Sequence, residues 1–489
     1  MKDHKELLSD EISLDPPDWE EMRGLGHQMI DDMLDHLQHI RKEPSWRKIP
    51  AETKEFLKEN IPQLPLAISE IYEEFKKHIL PYPSGNTHPR FWAWVQGTGT
   101  PFGMLAEMLA AGMNPNTALG EHSAMYVEQQ VLNWCKEMMN YPDTSSGILV
   151  SGGSMANITA LMVARNHQTG KDIRKEGVRA AKGNMTLYCS TETHSCVEKA
   201  VEVMGIGSNS LRKIPVDESY RLRIEELERA IKSDLDAGNT PFCVIGNAGT
   251  VNTGEIDPLD ELLSISKKYN LWYHIDGAFG ALAKMAPEYS GKLKTIEEAD
   301  SVAFDLHKWM YMPFEVGCVL IRDAAAHRSA FSSEPFYLMN HERGLAAGPD
   351  PMGNYGLELS RGFKALKVWM SLKEHGVQKY AAAIRQNIAQ AFYLGELIER
   401  ENNLELLTPV SLNIVCYRYK RAGLSEKQLN RINKKIVMSL QEQGIASPSS
   451  TVLGGRYAIR VANTNHRSRK EDFEDLVSET VRLGDRLLP

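Results

Sequence analysis

The sequence contains few cysteines, and none form the pairs that build a metal site or a disulfide framework. Six are scattered along the 489 residues without a Cys-x-x-Cys pair: Cys135, Cys189, Cys196, Cys243, Cys318 and Cys416. Neither a zinc ribbon nor a disulfide-stabilised scaffold is expected. We therefore expect no metal, and the unpaired cysteines suit a reducing, cytoplasmic location.

Long apolar runs and an excess of positive charge are missing as well. No stretch approaches the roughly 18 uninterrupted apolar residues of a membrane span, and the charged start at 1–6 lacks the apolar segment of a secretion signal. The net charge of −8, without a long basic run, argues against binding to nucleic acid. Since 42% of the residues are hydrophobic, the chain is able to bury a large core. We expect a soluble, globular enzyme that binds neither membrane nor nucleic acid.

The N-terminal region, 1–85, has the pattern of a helical arm. Apolar residues spaced three and four apart predict amphipathic helices over 19–40 and 68–79, with prolines between and after them. Two such helices seldom form a domain alone. We therefore predict that this arm clasps a partner subunit.

The region 86–372 alternates short apolar runs with helical patterns, which predicts an α/β domain with a mostly parallel sheet covered by helices on both faces. Its predicted strands are 148–150, 186–189, 242–245, 271–275, 301–304 and 316–321. The region 373–489 is predicted to be a small α+β domain. Its predicted helices cover 380–399 and 426–443, and its predicted strands cover 412–419 and 457–461.

Two residues with complementary chemistry follow neighbouring predicted strands. Asp276 comes directly after strand 271–275, and Lys308 comes shortly after strand 301–304, at the edge of the sheet where ligands of such folds bind. A lysine that forms an imine with an aldehyde and an acid that keeps a pyridine nitrogen protonated are the groups that pyridoxal 5'-phosphate requires. Because Lys308 follows an apolar run, we expect desolvation to disfavour its ammonium form and leave a nucleophilic amine.

A phosphate site is predicted at the glycine-rich turn 151–157, which follows strand 148–150 and opens a helix. The backbone N–H groups of Ser154 and Met155 would face an anion at the positive end of that helix. An N-capped helix after a tight turn explains the same residues. The motif therefore indicates a phosphate site only in combination with Lys308 and Asp276. His194 begins another helix, where its ring would stack on the cofactor or serve only as a helix-start residue.

These motifs resemble those of the group II pyridoxal-phosphate-dependent decarboxylases, and most closely those of the aromatic L-amino acid decarboxylases. The resemblance runs from about Trp19 to the end of the chain, and its specific motifs are His-Lys-Trp at 307–309 and His-Ile-Asp-Gly-Ala at 274–278. It implies a fold-type I, aspartate aminotransferase-like architecture. It also implies the cofactor pyridoxal 5'-phosphate and a homodimer with active sites at the interface.

The resemblance assigns roles to individual residues. It implies that Lys308 is the Schiff-base lysine, Asp276 the partner of the pyridine nitrogen and His194 the residue stacked on the ring. The other cofactor contacts that it implies are Thr250, Ala278 and His307. Tyr337 matches a mobile-loop tyrosine that supplies a proton after carbon dioxide leaves, which favours an amine product. The surrounding segment, 332–354, has the composition of a lid.

The substrate residues follow from the same resemblance. Trp92 and Trp94 are expected to form walls for a flat side chain, although core packing explains them equally well. Ser360 stands where plant relatives carry serine or glycine, and serine goes with phenolic substrates. Arg460 is a candidate for the substrate carboxylate. Asparagines at 114 and 116 replace apolar residues of the animal enzymes, which keeps a more polar substrate open.

The predicted function is decarboxylation of an L-amino acid, aromatic by resemblance, to the amine and carbon dioxide. Three alternatives stay open on the same fold: a decarboxylase of histidine or glutamate, an aldehyde synthase, and an aminotransferase. A nicotinamide-dependent enzyme is disfavoured, because the glycines at 97–103 have the wrong spacing for a dinucleotide loop. Asp305 replaces an asparagine of animal relatives, and a carboxylate there would repel the cofactor phosphate unless it were neutralised.

Overall fold

The computed structural model describes residues 12–169, 172–333 and 341–488. The N-terminal arm contains α1 (Trp19–His39), α2 (Ala51–Phe56) and α3 (Ile68–His78), which confirms both predicted helices. α1 begins where the Asp18 carboxylate accepts hydrogen bonds from the backbone N–H groups of the first turn. No residue of α1 is fully buried, and its apolar face is only partly covered by the described residues of the chain.

Three elements lead from the arm into the large domain: β1 (Phe91–Trp92), α4 (Pro101–Met113) and α5 (Ser123–Met139). α4 begins at Pro101 because Thr100 caps it, with its hydroxyl accepting from the backbone N–H of Gly103 at 3.1 Å. No helix among the described residues has the length and hydropathy to cross a lipid bilayer.

The large sheet contains every strand predicted for the middle of the chain. Its strands are β2 (Ser146–Val150), β3 (Met185–Ser190), β4 (Leu211–Ile214), β5 (Thr240–Asn247), β6 (Trp272–Asp276), β7 (Ser301–Asp305) and β8 (Gly317–Ile321), in the order β2-β8-β7-β6-β5-β3-β4. Neighbouring strands are parallel except that β8 runs antiparallel to both of its neighbours. The edge strand β4 was not predicted, because two of its four residues are charged and half-exposed or exposed.

Helices cover both faces of this sheet. They are α6 (Gly153–Gln168), α7 (Ile173–Glu176), α8 (Cys196–Val203), α9 (Ile224–Asp236), α10 (Leu259–Tyr269), α11 (Pro287–Ser290), α12 (Leu306–Trp309) and α13 (Ala324–Phe331). Successive residues of β5 enter opposite cores, Val244 in one and Cys243 and Ile245 in the other. A sheet buried on both faces explains why its strands appear in the sequence as continuous apolar runs.

The C-terminal domain is joined to the large domain by the long helix α14 (Lys364–Arg400), which is kinked at Gly376. It continues with β9 (Leu404–Leu406), β10 (Ile414–Tyr419), α15 (Glu426–Glu442), β11 (Ser447–Leu453), β12 (Arg456–Ala462) and α16 (Lys470–Arg486). The sheet order is β1-β11-β12-β10-β9. β1 belongs to this sheet although it lies in the region predicted as the large domain. The predicted boundary at 372 falls inside α14. The domain limits 1–85, 86–372 and 373–489 stay predictions.

Candidate active site

A cavity of about 660 Å³ opens where the parallel strands of the large sheet end. The turns after β2, β3, β5, β6 and β7 all contribute to its wall, as expected for ligand sites in such sheets. Segments next to β1 and in the C-terminal sheet close the opposite side. Of the predicted site residues, the cavity wall contains Ser154, Met155, His194, Asp276, Ala278, His307, Lys308, Trp94 and Arg460.

Lys308 lies in the single turn of α12, directly after β7. Its Nζ is 2.9 Å from Oδ2 of Asp305, the last residue of β7. The Asp305 carboxylate is 1% exposed, and its Oδ1 has no hydrogen-bond partner among the described residues. This buried ion pair was not predicted from the sequence.

The ion pair opposes the expected effect of burial on Lys308. Burial by itself lowers the pKa of this amine, but the nearby carboxylates of Asp305 and Asp276 outweigh burial and raise the pKa above its usual range. The direction of the shift is therefore opposite to the expectation from desolvation alone.

Asp276 ends β6 and is buried in the wall of the cavity. Its Oδ1 accepts a hydrogen bond of 3.1 Å from the backbone N–H of Ala278. Burial raises the pKa of this carboxyl above its usual range, and Lys308, that backbone hydrogen bond and His194 offset the effect only in part. The carboxylate is thus placed to hold a positive charge that enters the cavity.

The turn after β2 forms a narrow cradle at the start of α6. The first backbone hydrogen bond of the helix runs from the N–H of Ala156 to the carbonyl of Gly152, so the N–H groups of Ser154 and Met155 precede the intrahelical ladder. A β-carbon on Gly153 would lie 2.9 Å from Oδ2 of Asp305, which explains the glycine. The positive end of a 16-residue helix therefore borders the cavity.

Two histidines of the wall favour the neutral ring, although only His307 is buried. Partial desolvation lowers the pKa of His194, whose Nδ1 accepts a 3.2 Å hydrogen bond from the backbone N–H of Cys196. Burial also lowers the pKa of His307, whose Nδ1 lies 2.9 Å from the carbonyl oxygen of Val316.

Gly97 packs against the backbone of His307. A β-carbon on Gly97 would lie 2.2 Å from the carbonyl oxygen of His307. This close packing explains the glycine without a dinucleotide-binding loop.

Arg460, on β12, lines the side of the cavity that the C-terminal sheet forms. Its guanidinium donates to the carbonyl oxygens of Trp94 and Asn252, each at 3.0 Å, to that of Val251, and to the hydroxyl of Ser449. These bonds use four of its five N–H groups. Burial lowers its pKa to about 10, and no carboxylate among the described residues pairs with it.

The structure does not bring every predicted residue to the cavity. Trp92 is 1% exposed, stacks on Phe473 at 4.9 Å between ring centroids and donates its indole N–H to Ser468, so its prediction as a substrate wall is corrected to a core residue. Thr250 is buried beside the cavity and hydrogen-bonds Thr253 at 3.0 Å. Ser360 is exposed and does not line it.

Tyr337 and the 334–340 part of the proposed lid lie outside the described residues.

Sequence reasoning missed other residues of the cavity wall. Phe279 and Phe314 line the cavity, as do Asn157 and Asn252. Asn157 follows the predicted glycine turn and was quoted with it, but an asparagine within a helix carries no sequence signal of contact with the site.

The cavity suits pyridoxal 5'-phosphate. It combines the amine of Lys308, the buried carboxylate of Asp276 and the N-terminus of α6, which match the aldehyde, the pyridine nitrogen and the phosphate of that molecule. Its volume falls within the range of about 300–1,000 Å³ that is usual for small-molecule sites. The residues fit the cofactor, although the Asp305 carboxylate lies close to the phosphate cradle.

Comparison with known proteins supports the same interpretation. The model of the pyridoxal-dependent decarboxylase conserved domain matches residues 50–420. A Bacillus atrophaeus aromatic-L-amino-acid decarboxylase is 35% identical over 95% of this chain and 96% of its own length. Tyrosine decarboxylase 3 of Petroselinum crispum is 31% identical over 94% of this chain and 90% of its own.

The fold also matches a solved structure. A crystal structure of Oryza sativa TDC with PLP and tryptamine has a TM-score of 0.90, covers 98% of this chain and 100% of its own, and is 23% identical. The predicted fold-type I architecture is therefore confirmed.

Proposed function

The chain belongs to the pyridoxal-dependent decarboxylase family, and we propose that it converts an aromatic L-amino acid into the corresponding amine and carbon dioxide. Its cofactor is pyridoxal 5'-phosphate, and it is a carboxy-lyase. The observation that carries the proposal is the convergence of Lys308, Asp276 and the N-terminus of α6 on one cavity. The similarity to aromatic-L-amino-acid and tyrosine decarboxylases over almost the entire chain supports the substrate class.

Each residue of the cavity would contribute a separate function. When bound, pyridoxal 5'-phosphate supplies a ring that accepts the electron pair of the bond to the departing carboxylate. Lys308 would hold the aldehyde group of the cofactor. Asp276 would hold a proton on its pyridine nitrogen, where charge develops during the reaction. The N-terminus of α6, through Ser154 and Met155, would bind its phosphate.

His194, Ala278, His307 and Thr250 complete the proposed cofactor site. The first two line the cavity on the turns after β3 and β6, and we propose that they contact the ring of the cofactor. His307 lies next to the glycine cradle, where a β-carbon on Gly152 would be 3.1 Å from its Cε1. Thr250 lies behind the wall and is proposed to support it.

The lining of the cavity favours an aromatic side chain. Trp94 is 60% exposed and lines it together with Phe279 and Phe314, which offer flat apolar surfaces. Arg460 keeps one guanidinium N–H without a partner among the described residues, in reach of a substrate carboxylate. The asparagines that kept a polar substrate open are not part of this lining, since Asn116 hydrogen-bonds the carbonyl of Leu359 and Asn114 ends α4.

A homodimer with active sites at the interface is part of the proposal. Apolar side chains of α4 are exposed at Met108, Leu109 and Met113, and α1 buries none of its residues. A second copy would cover these surfaces. Sedimentation of the purified protein should give the mass of a dimer, and a monomer that decarboxylates at full rate would refute this part.

The six cysteines are free and buried, which supports a reducing, cytoplasmic location. The substrate proposal is tested by incubating the cofactor-loaded protein with a panel of L-amino acids and measuring amine and carbon dioxide. We expect equal amounts of both from tyrosine, phenylalanine, tryptophan or dihydroxyphenylalanine, with the phenolic substrates preferred. Turnover of glutamate or histidine without turnover of aromatic amino acids would contradict it.

A further inference from the structure

Asn252 lies in the loop after β5, lines the cavity and hydrogen-bonds both the turn after β3 and the C-terminal sheet. Its Nδ2 donates to Oε2 of Glu192, in that turn, at 2.9 Å. Its Oδ1 accepts from the hydroxyl of Thr451, on β11, at 3.1 Å. Its backbone carbonyl oxygen accepts from Nε of Arg460, on β12, at 3.0 Å. One residue therefore joins the two sides of the cavity.

The partners of Asn252 fix the orientation of its amide. An ionised carboxylate is only able to accept a hydrogen bond, so the amide must present an N–H group to Glu192. The amide oxygen then faces Thr451, whose hydroxyl donates to it. The reversed amide would place its oxygen against the carboxylate. The link to Glu192 therefore requires a donor at position 252.

The turn 191–195 carries His194 and contains no buried residue. Hydrogen bonds, more than packing, therefore hold it in place. On the side opposite Asn252, Nδ2 of Asn247 donates to Oγ1 of Thr193 at 2.8 Å and to Oδ2 of the buried Asp257 at 2.6 Å. Both residues that directly precede His194 in the chain are thus bound through their side chains by an asparagine of another segment.

The loop that carries Asn252 is a closed unit attached to the C-terminal domain. The backbone N–H of Gly254 donates to the carbonyl of Thr250 at 2.9 Å, and that of Thr250 donates to the carbonyl of Glu255 at 2.8 Å. The hydroxyl of Ser411 donates to the carbonyl of Gly254 at 3.2 Å. A β-carbon on Gly254 would lie 2.6 Å from the carbonyl oxygen of Ser411. The C-terminal domain therefore sets the position of Asn252.

We propose that Asn252 is a positioning residue that holds His194 against the cofactor by binding its turn to the C-terminal sheet. The same sheet carries Arg460. The link therefore also fixes the residue proposed to contact the ring relative to the residue proposed to bind the substrate carboxylate. This inference rests on the proposed roles of His194 and Arg460.

The test is a pair of substitutions in the full-length protein that together conserve charge. Asn252→Asp keeps an oxygen for Thr451 and the carbonyl for Arg460 but places a second carboxylate against Glu192. We expect this variant to bind pyridoxal 5'-phosphate about tenfold more weakly. Glu192→Gln alone keeps an acceptor for Asn252 and should bind the cofactor almost normally. Combined with Asn252→Asp, it restores a donor and an acceptor at the original net charge and should recover most of the loss.

The matched control is Glu198→Gln, which removes a half-exposed carboxylate paired with Lys213 at 2.9 Å. Combined with Asn252→Asp, it makes the same change in charge without a partner for the new carboxylate, so it should recover nothing. Normal cofactor affinity in Asn252→Asp would overturn the proposal. Equal recovery by Glu192→Gln and Glu198→Gln, or no recovery by either, would overturn it as well.

Circular dichroism of the bound cofactor gives a second readout that does not depend on activity. Its visible band reports how the ring is held, so it should change in Asn252→Asp and return in the combination with Glu192→Gln. An unchanged band in Asn252→Asp would contradict a role in holding His194. If Asn252→Asp fails to fold, Glu192→Ala removes only a half-exposed side chain and should weaken cofactor binding about threefold or more. Normal affinity in that variant would also overturn the proposal.

These readouts separate the positioning role from the proposed function. If no aromatic amino acid is decarboxylated but the affinities and the circular dichroism follow expectation, the substrate assignment fails and the role of Asn252 stands. If decarboxylation occurs but Glu192→Gln restores nothing, the role of Asn252 fails and the proposed function stands.

Discussion

Nζ of Lys308 lies 2.9 Å from Oδ2 of Asp305, in a pair whose carboxylate is almost completely buried. The ion pair involves the same amine that would bind the aldehyde of the cofactor. Because the carboxylate stabilises the ammonium form, the amine is protonated over a wider pH range than a free lysine. The charge of Asp305 therefore controls how readily Lys308 would act as a neutral amine.

We predict that Asp305→Asn makes the cofactor-free protein react faster with pyridoxal 5'-phosphate at neutral pH. The folded-state pKa of Lys308 is raised, so its neutral amine appears only as the pH rises toward that pKa. Removing Asp305 lowers the pKa, and each unit lost gives roughly tenfold more neutral amine. Borohydride trapping at intervals, followed by mass measurement, gives the rate at each pH.

The matched control is Asp172→Asn, which removes the exposed carboxylate from a lysine pair with the same spacing, at 3.2 Å from Lys175. This variant should react like the unmodified protein. If Asp305→Asn shows the same dependence of rate on pH as the unmodified protein, Asp305 does not control the charge of Lys308.

Substitutions of Trp92 and Trp94 should have different effects, one on the stability of the fold and the other on substrate binding. Trp92→Ala removes a core residue and should lower the free energy of unfolding by about 3–5 kcal/mol, with little change in KM among folded molecules. Trp94→Ala removes an exposed residue of the cavity wall and should raise KM for aromatic substrates up to about tenfold, since an aromatic contact contributes roughly 0.5–1.5 kcal/mol. Urea unfolding and steady-state kinetics measure the two effects, and the opposite pattern would refute both assignments.

Arg460→Lys should raise KM for the amino acid more than it lowers kcat. Lysine keeps the charge but loses the planar donors that hold the carbonyl oxygens of Trp94, Val251 and Asn252. Each carbonyl left without a donor costs about 1–3 kcal/mol, so stability should also fall. Arg418→Lys is the control, a buried arginine that pairs with Glu405 and Glu426. An unchanged KM in Arg460→Lys would remove Arg460 from substrate binding.

Tyr337→Phe should shift the product from amine toward aldehyde and ammonia, with uptake of oxygen. The expectation follows from the family resemblance, in which this tyrosine supplies the proton that completes the amine. Tyr393→Phe, which changes a tyrosine bound to Glu474 on the far domain, serves as the control. Quantifying amine, aldehyde and ammonia tests the role, and an unchanged ratio would exclude Tyr337 from protonation.

The sequence predicted the parts of the fold whose signals are local and strong. β6 and β7 are continuous apolar runs that end in Asp276 and at the start of the Lys308 turn, so both the strands and the edge of the sheet were predictable. β11 was not predicted, because its first residues are Ser447, Pro448 and Ser449 and resemble a loop. α16 was also missed, although its buried face includes Phe473.

The geometry of individual side chains was less predictable. The family resemblance suggested that Trp92 and Trp94 would both face the substrate, and residues two apart do share a face of a regular strand. β1 ends at Trp92, and Trp94 has a positive φ of 54°, so the two side chains diverge. The pKa shift of Lys308 was predicted in the wrong direction, because the sequence shows Asp305 three residues away but not that its carboxylate is buried against the amine.

The most direct test of the account is borohydride reduction of the cofactor-loaded protein, followed by peptide mapping and an assay of carbon dioxide release from L-tyrosine. The account predicts a pyridoxyl group on Lys308 and loss of carbon dioxide release in the reduced sample. Lys308→Ala should carry no such group, while Lys364→Ala, a control that removes a lysine lying 3.6 Å from Glu315, should carry it normally. A pyridoxyl group on another lysine, or full release of carbon dioxide by Lys308→Ala, would contradict the account.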